Sequence, residues 1–185
     1  MRQNNRRDRR DRRSNFEEED DGFEEKTVHV NRVTRVRKGG KRLRYNALTV
    51  VGNKNGMVGL GFGKANEVME ARRKSFQDAR KNLFKVPIIK GTLPHSIVGV
   101  AGSTRVVMRP ASPGTGVVAG SSPRYIFEAA GVQDVLSKII GSRNKINAAH
   151  ATINGLKRMR NAETIAKLRH RSVGKILGTE SDDES

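Results

Sequence analysis

Residues 50–68 read VVGNKNGMVGLGFGKANEV. Five of these nineteen residues are glycine, and a lysine follows the last of them. A Walker loop would need Gly, four residues, then Gly-Lys-Ser/Thr. Counting back from Gly63-Lys64 puts Val58 at the first glycine position, and Ala65 follows the lysine. A G-x-G-x-x-G reading fails too: from Gly59 its last position is Lys64, and from Gly61 it is Asn66. A strand fits better, because strand side chains alternate between faces. Val58, Leu60 and Phe62 then form an apolar face that seals a core. Gly59, Gly61 and Gly63 leave the other face bare for a close backbone. That backbone is either RNA sugar-phosphate, the preferred reading, or a neighbouring protein segment such as a helix. On the RNA reading, a side chain at Gly61 would spare the fold and block the partner.

Moving upstream, LRYNALTVV is a strand joined to this one through a turn at NKNG, where Asn55-Gly56 is a hairpin signal. Before it, valines from Val28 to Val36 mark another strand, ending in the turn RKGGK, whose glycines can take positive φ. Downstream, residues 66–84 read as a helix with Val68, Ala71, Ser75, Phe76, Ala79 and Leu83 on one face. Arg72 falls in the middle of that face and must snorkel. Three antiparallel strands and a helix make a first small domain.

KVPIIKGTLPHS, with two prolines and a glycine, is the junction. HSIVGVAGSTRVVMRPA reads as strand, turn, strand. SPGTGVVAGSSPRYIFEAAG is a glycine-rich loop entering a helix, with Ser122 as cap, Pro123 in the first turn and Gly131 as terminator. VQDVLSKIIGS is strand-like. NKINAAHATINGLKRM is a helix with Ile146, Ala149, Ile153 and Leu156 on one face and His150 on its flank. ETIAKLRHRSVGKIL continues as a basic helical tail. The fold class is α+β. The boundaries are a disordered basic-then-acidic tail at 1–25, an RNA-binding domain at 26–92, a second α/β domain at 93–178 and an acidic tail at 179–185. With 35% hydrophobic residues and no Trp, the apolar content suits modest cores and not one large one.

Charge decides the partner. Between residues 26 and 178 there are 30 basic and 6 acidic residues, net +24. Such a body repels itself unless a polyanion neutralises it, and nucleic acid gains affinity by counterion release. A membrane surface is the rival, but there is no basic amphipathic helix with a large aromatic face. The N-terminus lacks an apolar signal region. Residues 1–25 hold seven arginines and nine acids, so the acidic block either shields the basic one until RNA competes or serves as a solubilising tail. No cysteine is present, and His29, His95, His150 and His170 are scattered, so no metal or cofactor is expected. The loop PGTGVVAGSSP resembles the phosphate loop of GHMP small-molecule kinases at Pro113, Gly120, Ser121 and Ser122. A kinase also needs Mg²⁺ carboxylates, and Glu67, Glu70, Asp78 and Glu128 lie in predicted helices, leaving no metal pair. No enzyme or small-molecule substrate is therefore expected. The loop instead binds an RNA phosphate or packs against protein.

Arg32, Arg35, Arg37, Lys38, Lys41, Arg42 and Arg44 surround Gly39 and Gly40, so this hairpin is the main candidate for RNA. Aromatics are too few for a base-stacking platform, which favours structured RNA held by shape and backbone. Asn53, Lys54, Asn55, Gly61, Gly63, Lys64, Arg109, Thr115, Ser121, Arg124, Arg143 and Lys145 are further RNA-facing candidates.

Several long motifs match one family in order and spacing: VNRVTRVRKGG, GKRLRYNALTVVGNKNGMVGLGFGKANEV, GTLPHSIVG, RPASPGTGVVAGSSPR and GSRNKINAAHATINGLKRM. Over about residues 27–175 the chain resembles the S-five family of bacterial small-subunit ribosomal proteins. The resemblance implies a first domain like the double-stranded-RNA-binding fold. It implies a second domain with a four-stranded sheet, two helices and a left-handed βαβ crossover shared with GHMP kinases. It implies a cytoplasmic, ribosome-bound protein on small-subunit ribosomal RNA near the decoding region and the path by which the messenger enters, with an influence on accuracy. The hairpin loop is linked in the family to spectinomycin sensitivity, which points to Thr34, Arg35, Lys38 and Gly39. The segment Gly102 to Gly116, with Ser103, Arg105, Pro113 and Gly114, would face small-subunit protein four. The last helices, with Lys157 and Arg160, would face protein eight. The Arg-then-acidic tail and Arg72 depart from the family pattern. The alternative to a ribosomal component is a free-standing RNA-binding regulator or chaperone.

Overall fold

The computed structural model describes residues 22–179; the terminal tails expected at the two ends lie largely outside the described residues. The order is β1 Glu24–Arg37, β2 Gly40–Gly52, β3 Met57–Ala65, α1 Val68–Lys81 and β4 Phe84–Lys85, then β5 Ile97–Ala101, β6 Thr104–Pro110, β7 Val117–Val118, α2 Ser121–Ala130, β8 Val135–Gly141, α3 Lys145–Arg158, α4 Ala162–Arg169 and α5 Val173–Leu177. The first sheet runs β1-β2-β3-β4, all antiparallel. The two-residue β4 is a fourth strand beyond the three expected. Strand β1 starts at Glu24, so order begins inside the segment assigned to the tail. The second sheet runs β5-β6-β8-β7, with β7 and β8 parallel across α2.

The bare face of β3 is covered by the protein's own helix. A Cβ at Gly61 would lie 2.0 Å from the Ser75 carbonyl oxygen and 2.3 Å from the Ala79 nitrogen. At Gly63 it would lie 2.1 Å from the Ala71 oxygen, and at Gly59 2.3 Å from the Ala79 oxygen. The helix answers the glycines with its own small residues, Ala71, Ser75 and Ala79, all buried. One buried polar contact lies in this seam, Thr49 Oγ1 to Ser75 Oγ at 2.7 Å. Thr49 sits opposite Gly61 in the strand register. The expectation that Gly61 and Gly63 face RNA is thus corrected: no side chain, and no other chain, can enter between β3 and α1. The predicted helix is shorter at both ends, and its apolar stripe is narrower. Val68 is exposed, and Arg72 lies at the edge with its guanidinium 3.6 Å from Glu25.

The opposite face of the first sheet does seal a core, but a shared one. Leu48, Val50, Val58 and Leu60 belong to one buried cluster with Val106 and Met108 of β6, Ile126, Phe127, Ala129 and Ala130 of α2, and Ile153 and Leu156 of α3. The two sequence modules therefore have one contiguous core where separate modest cores were expected. Phe62 continues the apolar face but is left 40% exposed at its end.

The β2–β3 turn locks the modules together. Helix ends leave carbonyls without partners, and here the Lys54 amide donates to the Ala129 oxygen at 3.0 Å and the Gly56 amide to the Ala130 oxygen at 2.8 Å. Gly131, left-handed at φ 84, is hemmed in by the Lys54 carbonyl, 1.9 Å from where a Cβ would sit. At the other end of α2 the cap is Gly120, not Ser122; Ser122 is buried one position into the helix. Helix α3 behaves as read, with Asn144 accepting from the Ile146 amide and Ala149, Ile153 and Leu156 buried.

Candidate nucleic-acid interface

Beyond Asn31 and Tyr45 the paired strands β1 and β2 leave the body as a two-stranded ribbon. Each strand contributes about seven residues, or about 20 Å. From residue 31 to 44 every side chain is exposed except the half-buried Val33. The ribbon is closed by Lys38-Gly39, with Arg37 opposite Gly40. Gly39 and Gly40 have φ of 85° and 146°, a region that favours glycine. Neither would have any atom within 4 Å of a Cβ.

Four of the six acids between residues 26 and 178 have partners elsewhere. Glu128 takes Lys26 at 3.0 Å and Arg124 at 3.2 Å. Asp78 accepts from the Phe62 amide at 2.9 Å, Asp134 from the Gly116 amide at 2.8 Å, and Glu70 lies 3.8 Å from Lys74. No ion pair among the described residues engages Arg32, Arg35, Arg37, Lys38, Lys41, Arg42 or Arg44. A cluster of uncompensated cations on a projecting ribbon attracts phosphate.

The other candidates are not brought to one place. Asn53 spends its side-chain oxygen inside the turn, accepting from the Asn55 and Met57 amides. Lys54 pairs with Glu24, whose carboxyl is held below its ordinary range by the hydrogen bond from Lys54. Arg124 is shared with Glu128. Lys145 reaches His29 Nδ1 at 3.3 Å, from the second module to the first. Ser121 is exposed at the start of α2, and Arg143 lies just before α3. Thr115 Oγ1 donates to the Ser112 oxygen at 2.7 Å within the exposed loop that holds Pro113 and Gly114. Asp134 ties the GHMP-like loop to the sheet through the Gly116 amide, and no group of three His, Cys, Asp or Glu side chains suited to a metal occurs among the described residues. Lys64 and Arg109 are exposed on separate sheets.

Gly102 and Ser103 form the β5–β6 turn, with Arg105 exposed beside it. Lys157 lies over the Phe84 ring at 5.2 Å, so its cation serves the junction of the modules. The Arg160 amide approaches His95 Nε2 at 3.5 Å. A surface not singled out from sequence is the outer face of the second sheet, where Val98, Val100, Val118, Leu136 and Ile140 are all exposed. Its signal was present: IVGVA is apolar on both faces, as strands covered on both sides are. Among the described residues no helix is long and apolar enough to cross a membrane.

Comparison with known proteins gives two family matches. Residues 23–87 match the family described as ribosomal protein S5, N-terminal domain, and residues 99–169 match ribosomal protein S5, C-terminal domain. Residues 88–98 lie between the two matches. A small ribosomal subunit protein uS5 of Thermotoga neapolitana is 49% identical over 154 residues, covering 83% of this chain and 86% of that protein. The uS5 protein of Syntrophobacter fumaroxidans is 51% identical over 152 residues, covering 82% and 92%. That of Thermotoga petrophila is 47% identical over 164 residues, covering 88% and 92%.

Proposed function

The chain belongs to the ribosomal protein S5 family, and from that premise we propose that it is a structural component of the small ribosomal subunit that holds small-subunit ribosomal RNA with its β1–β2 ribbon. The observation that carries this reading is the ribbon itself: seven cations, no acidic residue and a glycine tip on a protrusion of about seven residues per strand, or about 20 Å. Structured RNA is its counterpart, since a ribbon of arginines meets backbone more readily than it stacks bases. The chain works in the cytoplasm, bound to the ribosome, and carries no catalytic activity of its own.

Two further surfaces face protein neighbours in this reading. The outer face of the second sheet, where Val98, Val100, Leu136 and Ile140 are interleaved with Arg105, Arg109 and Lys138, meets small-subunit protein four along the edge that ends at Gly102 and Ser103. Helices α4 and α5, which expose Leu168, Val173 and Leu177, meet protein eight. Through these contacts and the ribbon the protein supports accuracy and passage of the messenger into the subunit. The test is sedimentation of cell lysate on a sucrose gradient at moderate salt. Co-migration of the chain with small subunits is expected. A chain that stays at the top of the gradient would instead be a free RNA-binding regulator.

A further inference from the structure

The ribbon carries different chemistry on its two sides. In antiparallel strands directly opposed residues share a face, about 5 Å apart at Cβ. The pairs Val33↔Arg44, Arg35↔Arg42 and Arg37↔Gly40 give one face four guanidiniums. The interleaved pairs Arg32↔Tyr45, Thr34↔Leu43 and Val36↔Lys41 give the other face an aliphatic patch with a cation at each end. Val36 is 70% exposed and Leu43 49%.

Like charges directly opposed across strands destabilise the pair, so Arg35 and Arg42 need an anion between or above them. The second face poses a separate problem, because nothing among the described residues covers Val36 and Leu43. Its cations point to the occupant. A protein surface that covered the aliphatic pair would have to supply carboxylates at both ends of it. RNA supplies sugar and base surface for Val36 and Leu43 and phosphates for Arg32 and Lys41 in one strand. The ribbon cannot satisfy both faces inside one helix, since the major groove of A-form RNA is too deep and narrow to be entered.

We propose that the ribbon is an RNA bridge lying between two RNA segments, with the phosphates of one on Arg35, Arg37, Arg42 and Arg44, and the sugar and base surfaces of the other on Thr34, Val36 and Leu43. This rests on the RNA-binding reading above and adds that both faces are occupied, each by different chemistry. The full chain is titrated against a transcript of small-subunit ribosomal RNA over a range of salt, and the complex is footprinted with hydroxyl radicals. All substituted positions are exposed, and thermal unfolding checks that each variant is folded.

Arg35→Gln with Arg42→Gln should reduce the log–log salt slope by about 2 and expose one protected RNA segment. Val36→Asn with Leu43→Asn should weaken binding about five- to ten-fold, leave the slope unchanged and expose a different segment. Wild-type affinity and footprint in the second variant would overturn the bridge. So would normal RNA binding by that variant combined with failure to join small subunits, which would make the face a protein contact while leaving the RNA reading intact. An unchanged slope in the arginine variant would remove the RNA reading of the ribbon itself.

Discussion

Glycines at β3 and at the ribbon tip look alike in sequence and do opposite things. Gly59, Gly61 and Gly63 have ordinary strand φ and no room: a Cβ at any of them would meet α1 backbone within 2.3 Å. Gly39 and Gly40 have open space and a left-handed or related φ. The first set is required by packing, the second by the turn. The tip glycines lie among lysines and arginines, and Lys54 and Lys64 flank the β3 set, so a nearby cation does not separate the two uses. What separates them is the element on the other side. The packed glycines face a helix with small residues at spacings of four, Ala71, Ser75 and Ala79, while the tip glycines face solvent.

The largest test of this contrast is Gly61→Val. The branched side chain would have to displace the Ser75 carbonyl and the Ala79 amide, so α1 cannot stay docked. Overpacking in a core costs about 1–3 kcal/mol when side chains can yield. Here the obstacle is helix backbone, so a loss of about 3 kcal/mol or more is expected, read as a large drop in the urea midpoint. An unchanged midpoint would mean that α1 does not sit on β3 in solution.

Strand parity was legible from sequence: Val58 and Leu60 do face a core, and Gly59, Gly61 and Gly63 do share the other face. What covers that face was not, because helix backbone and RNA backbone both demand the absence of a Cβ. The decisive signal was the run of small residues on α1, which the six-residue stripe, with Val68 and Phe76 in it, concealed. The same device recurs unannounced in the second sheet. A Cβ at Gly99 would lie 1.9 Å from the Ala151 oxygen of α3, and Gly155 answers it. The ribbon was legible because its cations and turn are local. The joining of both modules into one core was not, since it depends on α2 lying against β2, a contact between residues about 80 apart in the chain.

A finer test probes what glues the packed side. Thr49→Val keeps the shape opposite Gly61 but removes the bond to Ser75. Ser75 keeps its own donation to the Arg72 carbonyl at 2.8 Å, so no buried donor is orphaned. A loss of about 1 kcal/mol is expected by denaturant unfolding. A loss as large as that of Gly61→Val would show that the polar contact, and not the bare surface, holds the helix.

On the open side, Gly39→Ala meets no atom, so its cost is conformational. A non-glycine residue in the left-handed region costs about 1 kcal/mol. Because the ribbon lies outside the core, the unfolding midpoint should hardly move. The strain should appear as RNA affinity reduced about five-fold, measured by filter binding at fixed salt. A fall in the midpoint matching Gly61→Val would erase the distinction between the two glycine sets.

The smallest effect is expected where β1 begins, at the end of the strand opposite the ribbon. There Glu24 pairs with Lys54 and Glu25 approaches Arg72, so one end of β1 is tied to the packed region while the other projects. The carboxyl of Glu24 is lowered from its ordinary pKa, first by the hydrogen bond from Lys54; desolvation opposes that shift, and the charges of Lys54 and Lys26 add to it. A carboxylate whose folded pKa lies below its unfolded pKa adds stability above the unfolded value and loses it as pH falls through the folded one. Glu24→Gln should therefore lower the unfolding midpoint slightly at pH 7, less than any substitution above, because an exposed pair is largely screened. The difference from wild type should shrink as pH falls below about 4 and be further reduced by salt. A difference that grew on acidification would have the wrong sign for an ion pair. It would mean that Glu24 is held in place by something other than the charge of Lys54, and that the tied end of β1 is a packed feature like the glycine face and not an electrostatic one.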